Sequence, residues 1–117
     1  MLRLFNANIV CVQNQYNLIY RHDDELIDRL AKEGVAYVPF FPLGGFSPLQ
    51  SSILSDVANE VGATAKQVAL AWLLHRSPNI LVIAGTSSIE HLHENFGSMN
   101  VQLSSEQLMK LNNIADK

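Results

Sequence analysis

The segment Ile80-Leu-Val-Ile-Ala-Gly-Thr-Ser-Ser-Ile-Glu-His-Leu-His-Glu-Asn95 constrains the fold more than any other part of the chain. It opens with an apolar run too short for an ordinary helix and uninterrupted by polar residues. Such a run reads as a strand buried on both faces, as in a parallel sheet. Gly85-Thr86-Ser87-Ser88 follows, and then Ile89, Leu92, Phe96 and Met99 recur at helical spacing. A strand, a small polar turn and a helix N-terminus present free backbone N–H groups and a partial positive charge, which suit an anion such as phosphate. The plainer reading is a strand-to-helix turn with Ser87 or Ser88 as N-cap, and the pattern alone leaves both open.

A chain of 117 residues suffices for one domain with a real core, spanning 1–117, and not for two. The net charge is −3, with no basic cluster and no basic–aromatic interleaving, so nucleic acid is not an expected partner. The single cysteine, Cys11, lies in an apolar run and is expected to be a small buried hydrophobe in a reducing compartment. Met1-Leu-Arg-Leu-Phe5 lacks the long apolar region of a signal peptide, and no apolar run approaches membrane-spanning length. The expectation is a soluble, cytoplasmic chain with no membrane partner.

In chain order, Asn8 to Val12 is β-prone and should end as a strand where Gln13-Asn14-Gln15-Tyr16-Asn17 begins. Asp23-Asp24-Glu25 marks a helix start with Asp23 as N-cap, Leu26, Ile27 and Leu30 form its inward stripe, and Gly34 stops it. Val35-Ala-Tyr-Val-Pro-Phe-Phe41 is the second strand, with pairing expected to weaken at Pro39. Pro42-Leu43-Gly44-Gly45-Phe46 is a loop that is either a plain turn or a close backbone approach to a ligand. Leu54, Val57, Ala58 and Val61 repeat at helical spacing up to Gly62. Thr64 caps a further helix that is apolar nearly all round, so Trp72 is read as core rather than as a cofactor platform. Ser77-Pro78-Asn79 breaks that helix, and Ser104-Ser-Glu-Gln107 forms a capping box for a last one carrying Leu108, Leu111, Ile114 and Ala115.

The alternation of strands and helices predicts an α/β fold with parallel strands, whose ligand site lies at the strands' carboxyl ends. Gln13-Asn14, Gly44-Gly45 and Gly85-Thr86 all fall at such ends. Only three strands are readable, so the sheet would keep two apolar edges exposed, a liability unless further strands or another chain cover them.

Val12-Gln-Asn-Gln-Tyr-Asn17, Val38-Pro-Phe-Phe-Pro-Leu-Gly-Gly45, Val68-Ala-Leu-Ala-Trp-Leu-Leu74 and Gly85-Thr-Ser-Ser-x-x-His-Leu-x-Glu-Asn95 resemble, in order and spacing, the aldo-keto reductases, bacterial members above all. The resemblance runs from about Ile9 to the C-terminus. It implies a partial (β/α)8 TIM barrel of about three parallel strands with covering helices, where the whole fold takes roughly 250 residues or more. The family reduces aldehydes and ketones with NADPH. By resemblance, Gln13 hydrogen-bonds the nicotinamide carboxamide and Phe40 stacks on the nicotinamide ring. Phe41 stands where many relatives carry Ser, and Leu43, Gly44 and Gly45 lie against the pyrophosphate. Gly85, Thr86, Ser87, Ser88 and His91 hold the adenosine 2′-phosphate, while Glu94 and Asn95 contact adenine. Well-studied relatives bring a lysine to the position of Gly85 and an arginine to that of His91. An imidazole and small hydroxyls grip a dianion less firmly than a guanidinium, which leaves the choice between NADPH and NADH open.

The family's catalytic Asp, Tyr, Lys and His belong to the first half of the barrel, and Tyr16, Tyr20 and Tyr37 do not sit in that motif. No catalytic residue is therefore assigned, and no metal-ligand spacing is present. His22, His75 and His93 read as surface residues. The resemblance implies the cofactor-binding, C-terminal part of a reductase that is inactive alone, with a small carbonyl substrate in the full-length family. The alternative is a non-catalytic nucleotide-binding or self-associating module, completed by a second copy or by the missing N-terminal half.

Overall fold

The computed structural model describes residues 8–44 and 51–116. Its two strands, β1 (Cys11–Gln15) and β2 (Ala36–Phe40), pair in parallel, with Gln13 opposite Val38 and Gln15 opposite Phe40. Contrary to the expectation that β1 stops at the polar residues, it continues through Gln13, Asn14 and Gln15. The β2 ladder satisfies their backbone, and only one side-chain face of a strand must meet the core. Cys11, expected to be buried, is exposed for the same reason. It shares the alternating face of Gln13 rather than that of Val12.

The third strand expected over Ile80–Ala84 is reduced to one parallel bridge, Tyr37 to Ile80. Pro39 supplies the physical reason. The Tyr37 N–H donates to the Asn79 carbonyl and the Leu81 N–H donates to the Tyr37 carbonyl, each at 2.9 Å. In a parallel ladder the next residue of β2 facing that side is Pro39, which has no N–H to give. The expected weakening at Pro39 is thus confined to one side, since Asn14 remains its register partner in β1. With no ladder beyond, Leu81 and Ile83 are 60% and 41% exposed. The segment is not buried on both faces.

Helix boundaries follow the capping chemistry. α1 (Asp24–Glu33) ends at Gly34, whose φ of 72° is left-handed, and α2 (Ser52–Val61) ends at Gly62 with φ 70°. α3 (Ala65–Arg76) begins with a capping box between Thr64 and Gln67. α5 (Ser105–Asn112) begins with one between Ser104 and Gln107. The last helix is shorter than expected, because Ile114 and Ala115 fall in a terminal 3-10 turn over Asn113–Asp116. α3 is the axis of the core, with Val68 through Leu73 all buried. Trp72 stacks on Tyr16 with ring centroids 6.0 Å apart. Its indole N–H reaches Asn112 Oδ1 at 2.8 Å, and the Arg21 guanidinium lies 4.6 Å from the ring centroid. The expectation of a core tryptophan holds.

The turn before α1 carries a polar cluster. Asp23 occupies the N-cap position without a side-chain cap bond, contrary to expectation, because its carboxylate accepts from the Tyr37 hydroxyl at 2.7 Å and from Asn14 Nδ2 at 2.8 Å. Asp24 accepts from the Tyr16 hydroxyl and from Arg21 Nε at 2.9 Å, with Arg76 at 3.5 Å. Burial and the bond to Asp24 push the Tyr16 phenol up to about 12, and burial with the bond to Asp23 raises Tyr37 as well. Burial alone would raise Asp24, but hydrogen bonds from Arg21 and Tyr16 and the charges of Arg21 and Arg76 outweigh it. Its carboxyl is held below the ordinary 3.8.

Asp24→Asn is expected to lose about 1–2 kcal/mol at neutral pH, less than a fully buried pair because water still screens the site. A depressed carboxyl contributes stability that is complete above its ordinary value and vanishes as pH falls through the lowered one. The variant's urea midpoint should therefore fall less steeply than the wild type's below pH 3.8. Parallel acid limbs would remove this role for Asp24.

Candidate cofactor site

Alternation along the paired strands sorts their side chains onto two faces. Tyr37 and Pro39 are buried against the helices, on the face shared with Val12 and Asn14. The opposite face carries Cys11, Gln13 and Gln15 beside Ala36, Val38 and Phe40, none of them fully buried. Gln13 and Phe40 thus project from the same open face, Gln13 beside Val38 and Phe40 at the carboxyl end of β2. Beyond the Tyr37–Ile80 bridge the third segment makes no further strand pairing among the described residues, and it leads on to Gly85. Phe40 ends β2 and Gly85 follows the bridged segment, whereas Gln13 lies within β1, two residues before its end, contrary to the expectation that it marks a strand's carboxyl end.

After β2 the chain turns sharply. Phe41 has φ 54°, the left-handed region that a Cβ disfavours, and Gly44 has φ 94°. The Gly44 N–H donates to the Phe41 carbonyl at 3.0 Å, and Asn17 Nδ2 donates to the same oxygen at 3.1 Å. The Phe40 and Phe41 rings meet edge to face with centroids 5.1 Å apart. Leu43 packs against the core cluster, while the Phe41 side chain of this turn is exposed. Gly45 lies outside the described residues.

The second turn precedes α4 (Ile89–Gly97). Ser88 is the N-cap: its Oγ accepts from the His91 N–H at 3.3 Å, while its own N–H donates to Thr86 Oγ1 at 3.1 Å. The plainer reading of this turn is therefore realised at Ser88, which takes up the His91 N–H and leaves those of Ile89 and Glu90 without a partner inside the helix. Gly85, Thr86, Ser87 and His91 are exposed, and a Cβ built on Gly85 would meet only open space. Between Arg76 and Lys110 the sequence has no lysine or arginine. These groups can hold a phosphate through hydrogen bonds and the helix dipole, without a cationic side chain from this turn. The donor set fits a dinucleotide and supplies little charge to distinguish a 2′-phosphate from a hydroxyl.

Glu94 and Asn95, singled out for adenine, also work within the fold. Glu94 Oε2 accepts from the Thr64 hydroxyl at 2.6 Å, and its carbonyl accepts from Gln67 Nε2 at 2.9 Å. Gly97 leaves room for this contact, because a Cβ there would lie 2.5 Å from Gln67 Nε2 and displace that amide. Asn95 borders an apolar groove of about 280 Å³ between α3, Ile80–Ala84 and α4, lined also by Leu74, Leu92, Phe96 and Met99. Sequence reasoning passed over Asn17 and the Thr64–Gln67 pair as supports of the site. An Asn shortly after a strand is a turn signal that could have flagged the first. Among the described residues no cluster of His, Cys, Asp and Glu could hold a metal ion, and no helix is long and apolar enough to cross a membrane.

Three comparisons bear on this arrangement. Pyridoxine 4-dehydrogenase of Escherichia coli (strain K12) is 64% identical over 109 residues, covering 93% of this chain but 38% of that protein. A thermostable aldo-keto reductase solved with the inhibitor epalrestat superposes with a TM-score of 0.83 at 33% identity, over 92% of this chain and 40% of the other. An aldo/keto reductase from Klebsiella pneumoniae solved with NADP and acetate gives a TM-score of 0.80 at 28% identity, over 91% of this chain and 39% of its own. The chain thus spans well under half the length of the relatives it matches, and its parallel segments and helices correspond to part of their barrel. The model of the aldo/keto reductase family matches residues 1–116, and the chain belongs to that family.

Proposed function

We propose that this chain is the cofactor-binding, carboxyl-terminal part of an NADPH-dependent aldo-keto reductase and has no reductase activity by itself. The observation that carries the reading is the shared open face of Gln13 and Phe40, beside a third segment that bridges β2 in parallel at Ile80 and leads to the Gly85–Ser88 turn. In this reading Gln13 bonds the nicotinamide carboxamide and Phe40 stacks on its ring. Leu43, Gly44 and Gly45 belong to the loop against the pyrophosphate, and Phe41 stands beside Phe40 without the polar contact of a Ser. Gly85, Thr86, Ser87, Ser88 and His91 meet the 2′-phosphate, and Glu94 and Asn95 face adenine. The bound nicotinamide would supply hydride. This chain's residues orient it, while the residues that protonate a carbonyl oxygen belong to barrel segments that the motifs here do not include. Pyridoxine, named in the relative with 64% identity, is the first substrate to test in a completed barrel.

NADPH titrated into the purified chain should gain fluorescence on binding, more weakly than in a whole barrel because half the contacts must supply the affinity. Simple aldehydes should give no NADPH oxidation. Absence of binding to well-folded chain would end the cofactor reading, and measurable turnover would end the claim of inactivity.

A second reading, self-association, is favoured by one observation. Ile89 and Phe96 of α4 and Met99 of the following 3-10 turn are 75%, 62% and 71% exposed, and Leu81 lines one groove with Phe96 and Met99. Contiguous apolar surface of this kind marks an interaction site, and the unpaired edge beyond Ile80 adds backbone donors and acceptors. Sedimentation should show dimers or larger species at micromolar concentration, suppressed when the remaining barrel segments of a relative are co-expressed. A monomer at high concentration refutes this reading.

A further inference from the structure

Asn17 is the second residue after β1, is 3% exposed, and has both ends of its amide engaged. Its Oδ1 accepts from the backbone N–H groups of Ile19 and Tyr20, each at 2.9 Å, closing a local Asx turn. Its Nδ2 leaves that turn and donates at 3.1 Å to the carbonyl of Phe41, a residue distant in sequence. Phe41 is, among the described residues, the non-glycine residue with positive φ, and such a conformation persists only where its surroundings over-determine it. Its carbonyl is held from one side by Asn17 and from the other by the Gly44 N–H at 3.0 Å. The neighbouring Phe40 carbonyl accepts from the Tyr16 N–H at 3.4 Å. The short stretch Tyr16–Asn17 therefore grips the turn on which the candidate stacking ring is mounted.

We propose that Asn17 is a positioning residue for the nicotinamide platform: by holding the Phe41 carbonyl it keeps that turn left-handed and sets the directions of the Phe40 ring and Gly44. The proposal rests on the reading of Phe40 as the stacking ring. Asn17 touches no cofactor and acts through the backbone of Phe41. Its two functions separate chemically, since the oxygen serves its own loop and the nitrogen serves the platform.

Asn17→Asp keeps an oxygen for the Ile19 and Tyr20 N–H groups and removes the donor to Phe41, and Asn17→Ser repeats the loss without a charge. The full chain and both variants are compared by amide hydrogen exchange at Gly44 and by calorimetric binding of NADP+ and of 2′,5′-ADP, which lacks the nicotinamide. The expected result is faster exchange at Gly44 and roughly tenfold weaker NADP+ binding with 2′,5′-ADP binding unchanged. Unchanged Gly44 exchange, or equal weakening of both ligands, overturns the proposal, the second outcome marking a general structural role. A wild-type chain that binds NADP+ no more tightly than 2′,5′-ADP would sink the Phe40 reading itself, and Asn17 with it. A wild-type preference that survives both substitutions sinks Asn17 alone.

Discussion

Tyr37 joins the paired strands to the third parallel segment. Its backbone makes both hydrogen bonds of the bridge to Asn79 and Leu81, while the ladder of β2 holds β1 on the other side. Its ring packs edge-on against Tyr16 at 5.8 Å, its hydroxyl bonds Asp23, and the whole side chain is buried. A parallel bridge fixes direction and register where it forms, so this residue sets the start of the segment that leads to the Gly85–Ser88 turn. Without it, the two proposed ends of a dinucleotide site would have no defined relation through the sheet.

Local chemistry was the most legible part of the fold. Gly34, Gly62, Thr64 and the Ser104–Gln107 box mark helix ends because each acts within a few residues of itself. The direction of the strands was also legible, since helices between apolar runs leave little alternative to parallel pairing. What could not be read was anything that depends on who stands beside a strand. Cys11 looks like core in an apolar run, yet its face opens outward. Ile80–Ala84 has the composition of a central strand, yet Pro39 removes the donor that would extend its ladder. Asp23 has the position of an N-cap, but its carboxylate is taken by Tyr37 and Asn14, partners that only tertiary structure reveals.

The candidate site divides along the same line. Gln13, Phe40 and the Gly85–Ser88 turn stand out because strand ends and glycine-rich turns carry a sequence signature. Asn17 and Gln67 shape the site through long-range bonds to backbone carbonyls, which leave no pattern in the chain. The apolar edge is the complementary case. Its composition was plain in the sequence, but the sequence cannot say that Ile89, Phe96 and Met99 face water here. A helix with no buried residue and a clean apolar stripe is built to pack against something, and α3 alone does not cover it.

That raises the question of what keeps α4 in place beside so short a strand. The bridge at Tyr37 lies well before the helix begins, and few backbone bonds separate it from solvent. The anchoring comes instead from Thr64 and Gln67, at the start of α3, which bond the carboxylate and the carbonyl of Glu94. This use of Glu94 is compatible with the adenine contact proposed for it. A carboxylate offers about four lone-pair positions on two oxygens, and the Thr64 hydroxyl occupies Oε2. Oε1 can still accept from an adenine amino group, and a carboxylate already fixed by Thr64 would lose less rotamer freedom in doing so. The capping residue that starts α3 would thus also orient the far end of the ligand.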